Sequence, residues 1–433
     1  MVGARGLAQR ALVALHKDSS RRLRAALEGR GVEGREFALA YELAHGVARR
    51  ERLLDHVLAG VAHRGLPKDP ELLVALRLGA YQLIFTSGVP AHAAVHETVA
   101  LVRHNKGFCN AVLRRIAGMI RERPADPSQP RHQLPMGANR SFELPSPLSG
   151  DVVEQLAVLH SLPDWLARRV NDQHGSDALA QLASAASATP PVHLRSRVSV
   201  DDLVASLQAE DVEVERVGDG PLLRWRGGAS PFGVSAFHEG AFVAQDPTAA
   251  SAAAALPCRA GDTVIDLCAA PGTKTAVLAG LVGERGKVFA SDPDDVRRAR
   301  IAENVSRLRL ERVVEVVDDE AMLKPADGVL ADVPCSNTGV LGRRVEVRRR
   351  LTPEDFAALA GLQRQILDRA ISLTRVGGYL VYSTCSVDRD ENEDVVASAL
   401  VAHSDLELIK QRLTMPMQGQ CDGGFYALMR RVS

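Results

Sequence analysis

The chain has 433 residues, too many for one ordinary hydrophobic core, so two or three domains are expected. Its 53 basic and 53 acidic side chains cancel, which removes any global pull toward nucleic acid or membrane; the bias is local, with the first 123 residues richer in Arg and Lys than in Asp and Glu. No apolar run is long enough to cross a bilayer and no signal peptide opens the chain, so a cytoplasmic protein with free thiols is expected. The six cysteines, at 109, 258, 268, 335, 385 and 421, form no Cys-x-x-Cys pair for a zinc ribbon or redox dithiol.

Residues 5 to 123 place apolar side chains three and four apart, as in Leu72-Leu73, Leu76, Ala80 and Leu83-Ile84. Gly29, Gly31, Gly34, Pro67, Gly88 and Pro90 divide this stretch into five or six helices, a compact bundle over residues 1–125. The segment from Val89 to Val99, followed by Lys106 to Arg115, resembles the RNA-binding fold of the NusB antitermination factor. In that resemblance Asn110, Arg114 and Arg115 lie on the closing helix. His92 and His96 share one helix face but lack a third ligand, so no metal site is expected.

Pro124, Pro127, Pro130, Pro135, Pro145 and Pro147, with Ser and Gln between them, predict a linker over 126–150. Residues 151–240 predict a small α/β module that binds RNA. It has a helix from Pro163-Asp164-Trp165, an Ala-rich helix to Ala188 and a strand at Val192 to Arg195. A helix N-capped by Ser199 and a strand at Val212 to Glu215 complete it.

From 241 to 433 the chain takes on the βαβ cadence of a doubly wound sheet. Strands are predicted at Thr263–Asp266, Lys287–Ala290 and Val313–Val317, then at Val329-Leu330-Ala331 and Tyr379 to Tyr382, each of the last two closing on a cysteine. Ligands gather beyond the carboxyl ends of such strands, so Cys335 and Cys385 are expected to face one crevice. The turn Cys268-Ala269-Ala270-Pro271-Gly272-Thr273-Lys274 lacks the glycines of a pyrophosphate loop. Acids follow four successive strands, at Asp266, Asp292, Asp318-Asp319 and Asp332, and suit a phosphate-free cationic donor such as S-adenosylmethionine, with Asp292 on its ribose.

That turn, together with Asp332-Val333-Pro334-Cys335-Ser336-Asn337-Thr338-Gly339 and Ser383-Thr384-Cys385-Ser386, resembles the RNA cytosine-C5 methyltransferases. The helical N-terminus and the closing Gly424 to Leu428 resemble the bacterial Sun/Fmu branch, which methylates 16S ribosomal RNA. The resemblance implies a Rossmann-like catalytic domain with S-adenosylmethionine held by Cys268, Ala269, Ala270, Pro271, Gly272, Thr273, Lys274, Asp292, Asp319 and Asp332. It also implies a nucleophile at Cys385 and product release assisted by Cys335. Val333, Asn337 and Arg197 depart from the family's usual Ala, Gly and Asn.

The chemistry needs these side chains. Carbon 5 of cytosine is a poor nucleophile until a thiolate adds at carbon 6, and an acid at the Watson–Crick edge, here Asp332, helps the ring accept electrons. The target base must leave its stack, which favours RNA loops or partly assembled 16S rRNA, and Arg343 to Arg350 are expected at the rim, on phosphates. The protein is expected to act as a monomer. A catalytically idle RNA-binding assembly factor is the alternative class, and tRNA the alternative substrate; the intact cysteine pair favours the enzyme.

Overall fold

The structure, a computed structural model, describes residues 3–29, 31–63, 65–228 and 230–432, and its contacts divide the chain into two compact units. The first comprises Met1–Thr189 and Leu341–Leu351, the second Pro190–Val340 and Thr352–Ser433.

In the first unit, helices α1 (Ala4–Lys17), α2 (Leu23–Leu27), α3 (Gly34–Val61), α4 (Pro70–Phe85), α5 (Ala91–Ala100) and α6 (Lys106–Ala117) form the expected bundle. The apolar residues of α4 run nearly all round it, so it sits in the centre rather than on the surface. Its Arg77 stays charged there because Glu51 and Asp55 of α3 lie 2.6 and 2.7 Å away. Helices α3 and α4 approach so closely that a Cβ on Gly46 would stand 2.1 Å from the Tyr81 ring.

The stretch expected to be a linker is folded. Strands β1 (Ile120–Arg121), β2 (Gln133–Pro135) and β3 (Ser141–Glu143) pair antiparallel in the order β1-β3-β2. Leu134 and Phe142, the latter fully buried, anchor this sheet in the helical core, and the prolines shape turns between anchored points instead of freeing the chain. Helices α7 (Val152–Leu159), α8 (Asp164–His174) and α9 (Ser176–Ser187) also belong to this unit. Ser161 Oγ accepts from the amides of Arg52 and Leu53 in α3 at 3.1 and 3.2 Å, and the Arg52 guanidinium donates to Asp164, so the 151–240 module divides after α9.

The second segment of this unit corrects another expectation. Arg348 is not on a rim holding phosphates. It is 6 % exposed, and its guanidinium donates to the carbonyls of Arg49, His160, Ser161, Ala186 and Leu341. Arg349 pairs with Glu51 at 2.9 Å, and Val345 enters the helical core. Val345 and Val347, alternating with charged residues, drive the segment inward, and arginine follows because five carbonyls accept from its two terminal nitrogens, leaving only Nε without a partner among the described residues.

The second unit opens with a four-stranded sheet ordered β5-β6-β4-β7, from β4 (His193–Ser196), β5 (Val214–Arg216), β6 (Leu222–Trp225) and β7 (Phe242–Ala244). Helix α10 (Val200–Ala209) packs on it, with Ser199 capping the amide of Asp202 as expected. A further turn, α11 (Ser235–His238), and α12 (Pro247–Ala254) lead into the large sheet.

That sheet is ordered β10-β9-β8-β11-β12-β14-β13, from β8 (Thr263–Leu267), β9 (Lys287–Ser291), β10 (Val314–Val317), β11 (Ala326–Asp332), β12 (Thr374–Thr384), β13 (Leu406–Thr414) and β14 (Gly424–Arg431). Strands β10 through β12 are parallel, and β14 runs antiparallel to β12 and to β13. Helices α12, α13 (Thr273–Val282) and α14 (Asp295–Arg307) cover one face, and Pro353–Leu373 and Glu393–Ala402 the other. Both faces of the central strands are buried, hence their continuous apolar runs. The small sheet is fastened to the end of α14. Arg197 donates to Gly240 O and Leu308 O, and the Arg307 guanidinium lies 4.0 Å above the Phe237 ring.

Replacing Arg348 with Leu strands buried carbonyls and is expected to destabilise the protein by about 3 kcal/mol. The exposed Arg350→Leu should cost less than about 0.5 kcal/mol. Thermal denaturation of both variants checks this; a phosphate-binding Arg348 would instead leave the melt unchanged and weaken RNA binding.

Candidate active site

Each parallel strand ends on a chemically distinct turn. Asp266, fully buried in β8, accepts from Thr275 Oγ1 at 2.6 Å through Oδ2, while its Oδ1 has no partner among the described residues. Burial, opposed by that hydrogen bond, pushes its carboxyl up to about 7. The turn Cys268–Lys274 then folds back over the sheet: Ala269 N donates to Ser291 O at 2.8 Å, and Gly272, at φ 96°, opens α13. Burial pushes the Cys268 thiol up to about 12, which keeps it protonated and neutral.

Lys274 leaves its own turn, its Nζ lying 2.6 Å from Asp332 Oδ2. Burial works against the ammonium, but the Asp332 carboxylate outweighs it and the Lys274 pKa ends above its ordinary value. Ser383 Oγ donates to the other Asp332 oxygen at 2.7 Å.

Asp292 is 2 % exposed, accepting from Asp294 N at 3.1 Å with the Arg297 guanidinium 3.0 Å away. Asp318 and Asp319 face solvent, and Asp319 only caps the following turn through Ala321 N. Glu320, not Asp319, reaches the strand ends, accepting from Ser291 Oγ at 2.8 Å. Three acids in succession cannot be phased from sequence, because only the strand's last residue decides which one turns inward.

The two cysteines come together. Strands β11 and β12 pair with Asp332 opposite Ser383, so the loops that follow leave the sheet abreast and bring Cys335 Sγ within 3.2 Å of Cys385 Sγ. The hydrogen bond with Cys385, then burial, hold the Cys335 thiol well above the usual cysteine range. Asn337, where the resemblance leads one to expect glycine, adopts the left-handed φ of 65° that glycine would supply. Its amide donates to Cys335 O at 2.7 Å, and its Oδ1 accepts from Cys385 Sγ at 3.4 Å.

Behind the cysteines lies a hub that sequence reasoning missed. Glu391, fully buried, accepts from Ser336 N (2.8 Å), Ser336 Oγ (2.5 Å), Ser386 Oγ (2.6 Å) and Gln363 Nε2 (2.9 Å). Burial raises its pKa against these bonds. Thr384 Oγ1 donates to Asn392 Oδ1 at 2.6 Å, and Asn392 Nδ2 to Ser386 O at 3.1 Å. The only signal was the acidic run Asp388 to Glu393 after Ser386, which reads as a solvated helix start.

A cavity of about 190 Å³ opens beside Cys385, walled among others by Asp246, Lys274, Asp332, Val340, Asp422 and Tyr426. It has the room of about six waters, the scale of one nucleobase. Among the described residues no cluster of His, Cys, Asp or Glu could hold a metal, and no helix is long and apolar enough to cross a membrane.

Comparison with known proteins agrees with this geometry. The family described as 16S rRNA methyltransferase RsmB/F matches residues 253–431, and the NusB family matches residues 3–118. The putative methyltransferase Rv1407 of Mycobacterium tuberculosis is 37% identical over 88% of this chain and 82% of its own. The probable ribosomal RNA small subunit methyltransferase B of Bacillus subtilis is 30% identical over 93% of this chain and 89% of its own. Among solved structures, PH0851 superposes with a TM-score of 0.74 at 25% identity over 99% of both chains. NSun6 from Pyrococcus horikoshii, with a TM-score of 0.57 at 21% identity over 63% of this chain and 98% of its own, shares the fold. A NusB-type helical domain, a parallel sheet ending in two adjacent thiols and likeness along nearly the full length lead to one conclusion: the chain belongs to the RsmB/F family of S-adenosylmethionine-dependent 16S rRNA methyltransferases.

Proposed function

We propose that this protein methylates carbon 5 of a cytosine in 16S rRNA through a transient bond between Cys385 and carbon 6 of the base. The observation that carries the reading is the 3.2 Å contact between Cys335 and Cys385 beside a base-sized cavity that also contains the Lys274–Asp332 pair. Two thiols this close serve one reaction centre, whereas a scaffold would have no use for a polar, partly open thiol pair.

The donor supplies an electrophilic methyl group on a sulfonium. The residues present fit it: buried Asp266 keeps one oxygen without a partner, Asp292 and Glu320 stand at the ends of β9 and β10, and no basic phosphate cradle is built into the turn 268–274. In this reading Asp319, exposed, leaves the adenosine end to Glu320.

The Cys385 thiolate adds to carbon 6, and carbon 5 becomes nucleophilic. Asp332, fixed by Lys274 and Ser383, accepts from the exocyclic amine, and the Lys274 ammonium beside it donates to N3, which lets the ring accept electrons. Cys335, protonated and 3.2 Å away, donates to the sulfur as it departs. Glu391 keeps both cysteine loops in register throughout. The base must be flipped from its stack, so single-stranded rRNA is the substrate form.

With labelled S-adenosylmethionine and 16S rRNA, Cys385→Ala should lower transfer on the order of 10⁴-fold. Cys335→Ala should accumulate a covalent protein–RNA adduct that survives denaturant on a gel. An adduct in Cys385→Ala instead exchanges the two roles, and no wild-type transfer to cytosine carbon 5 overturns the reading.

Glu391→Gln sets an amide N–H₂ against donors that need acceptors, displacing the loops. Its kcat should fall about 10²-fold with the donor KM nearly unchanged; steady-state kinetics read the split.

Asp266 should bind the donor's positive end as a carboxylate. Because its carboxyl titrates at about 7 in the folded protein, it is neutral below that pH, and donor affinity should weaken as pH falls through 7. The expected slope is about tenfold per unit below 7. Titration calorimetry at pH 6 and 8 measures it, and Asp266→Asn should remove the slope.

A further inference from the structure

The methylation leaves one proton unassigned. After methyl transfer, carbon 5 of the ring carries both the new methyl group and its original hydrogen, and a base must take that hydrogen before Cys385 can leave. Cys335 is poorly suited: its thiol is held in the protonated form and faces the Cys385 sulfur at 3.2 Å. Asp332 is also committed. Paired with the Lys274 ammonium, its place in the reaction is the Watson–Crick edge of the ring, away from the carbon 5 hydrogen.

A different carboxylate lines the same cavity. Asp246 caps α12, with Oδ1 accepting from Thr248 N at 2.9 Å and Oδ2 accepting from Asp422 N at 3.1 Å. Thr248 Oγ1 donates in turn to Asp422 O at 2.8 Å, stitching the start of α12 to the turn before β14. From that turn a short chain of backbone bonds leads to the nucleophile: Gly423 N donates to Gly339 O at 2.8 Å, and Gly339 N to Cys385 O at 2.9 Å. Gly339 is pressed so tightly in this chain that an added Cβ would lie 2.7 Å from Gly423 and 2.8 Å from Cys385 O. Asp246 is thus held at a fixed offset from Cys385, on a wall element separate from the donor turn 268–274. The departing hydrogen projects from the ring face opposite the new methyl group, so its acceptor cannot belong to that turn.

Behind Asp246 stands His193, 2 % exposed, its Nδ1 3.7 Å from Asp246 Oδ2 and neither ring nitrogen hydrogen-bonded among the described residues. A buried imidazole left without partners is costly unless it has a use, and beside a carboxylate on a reaction cavity the use is proton transfer.

We propose that Asp246 is the general base that removes the proton from carbon 5, with His193 positioned to share it. This rests on the cytosine-C5 reading above. In the step, the C5–H bond breaks and its proton passes to an Asp246 oxygen. Its electron pair becomes the C5–C6 double bond, the C6–S bond breaks, and that pair stays on the Cys385 sulfur, which accepts a hydrogen bond from Cys335. The proton that N3 took from the Lys274 ammonium during addition returns to Lys274.

The test uses the full chain, unlabelled S-adenosylmethionine and 16S rRNA carrying tritium on cytosine carbon 5. Wild type should release tritium to water in step with methylation. Asp246→Asn and Asp246→Ser, both able to cap α12, should form the methylated covalent adduct yet release tritium about 10²-fold more slowly. Wild-type release by either variant overturns the proposal, and so does loss of adduct formation in both, since Asp246 would then act before elimination. A wild-type enzyme that methylates without releasing tritium would instead sink the cytosine-C5 reading itself, whereas a Cys385→Ala protein that still forms adduct would exchange the roles of the two cysteines.

Discussion

A carboxylate without solvent contact holds the two cysteine loops side by side. Glu391 gathers an amide and a hydroxyl from Ser336 and a hydroxyl from Ser386, so the loop after β11 and the loop after β12 share one acceptor. Burying such a group unpaired would be prohibitive, and the loops that satisfy it are drawn to within the span of one side chain. The parallel register of β11 and β12 starts the loops abreast; the buried acid keeps them so beyond the last strand bond. The short distance between the sulfurs is therefore a product of polar packing beneath them, with no covalent link required.

The same loop shows how a sequence can leave a family pattern and keep its shape. Asn337 stands where the resemblance leads one to expect glycine, yet asparagine is among the few side chains that tolerate the left-handed region, and its amide then bonds to Cys335 O. The substitution adds an oxygen facing the nucleophile, which places a polar neighbour where glycine would leave space. Two residues on, Gly339 admits no replacement of this kind, because backbone from two other segments already occupies the position of its Cβ.

What could be read from the sequence follows from the range of the forces involved. Strands β8, β9, β11 and β12, the capped helix α10 and the meeting of Cys335 with Cys385 were legible, since they follow from local apolar runs, caps and the rule for parallel sheets. The folded state of residues 120–143 was not, because Leu134 and Phe142 are single anchors inside a proline-rich stretch and their value depends on a distant helical core. Arg348 was misread for the same reason: a cluster of arginines looks solvated until one of them finds five carbonyls, four of them contributed by residues more than 150 positions away in sequence. Glu391, Asp246 and Glu320 carry no motif that sets them apart from ordinary caps and surface acids.

The eleven residues Leu341–Leu351 have a consequence for the life of the molecule. They lie in the catalytic half of the gene but complete the helical unit, supplying Val345 to its interior and Arg348 to its carbonyls. During synthesis the amino-terminal unit therefore waits, with a gap in its interior, until the ribosome has passed residue 351. Proteolysis at the 189–190 junction would likewise release no intact half. A chain interleaved in this way resists being divided or recombined.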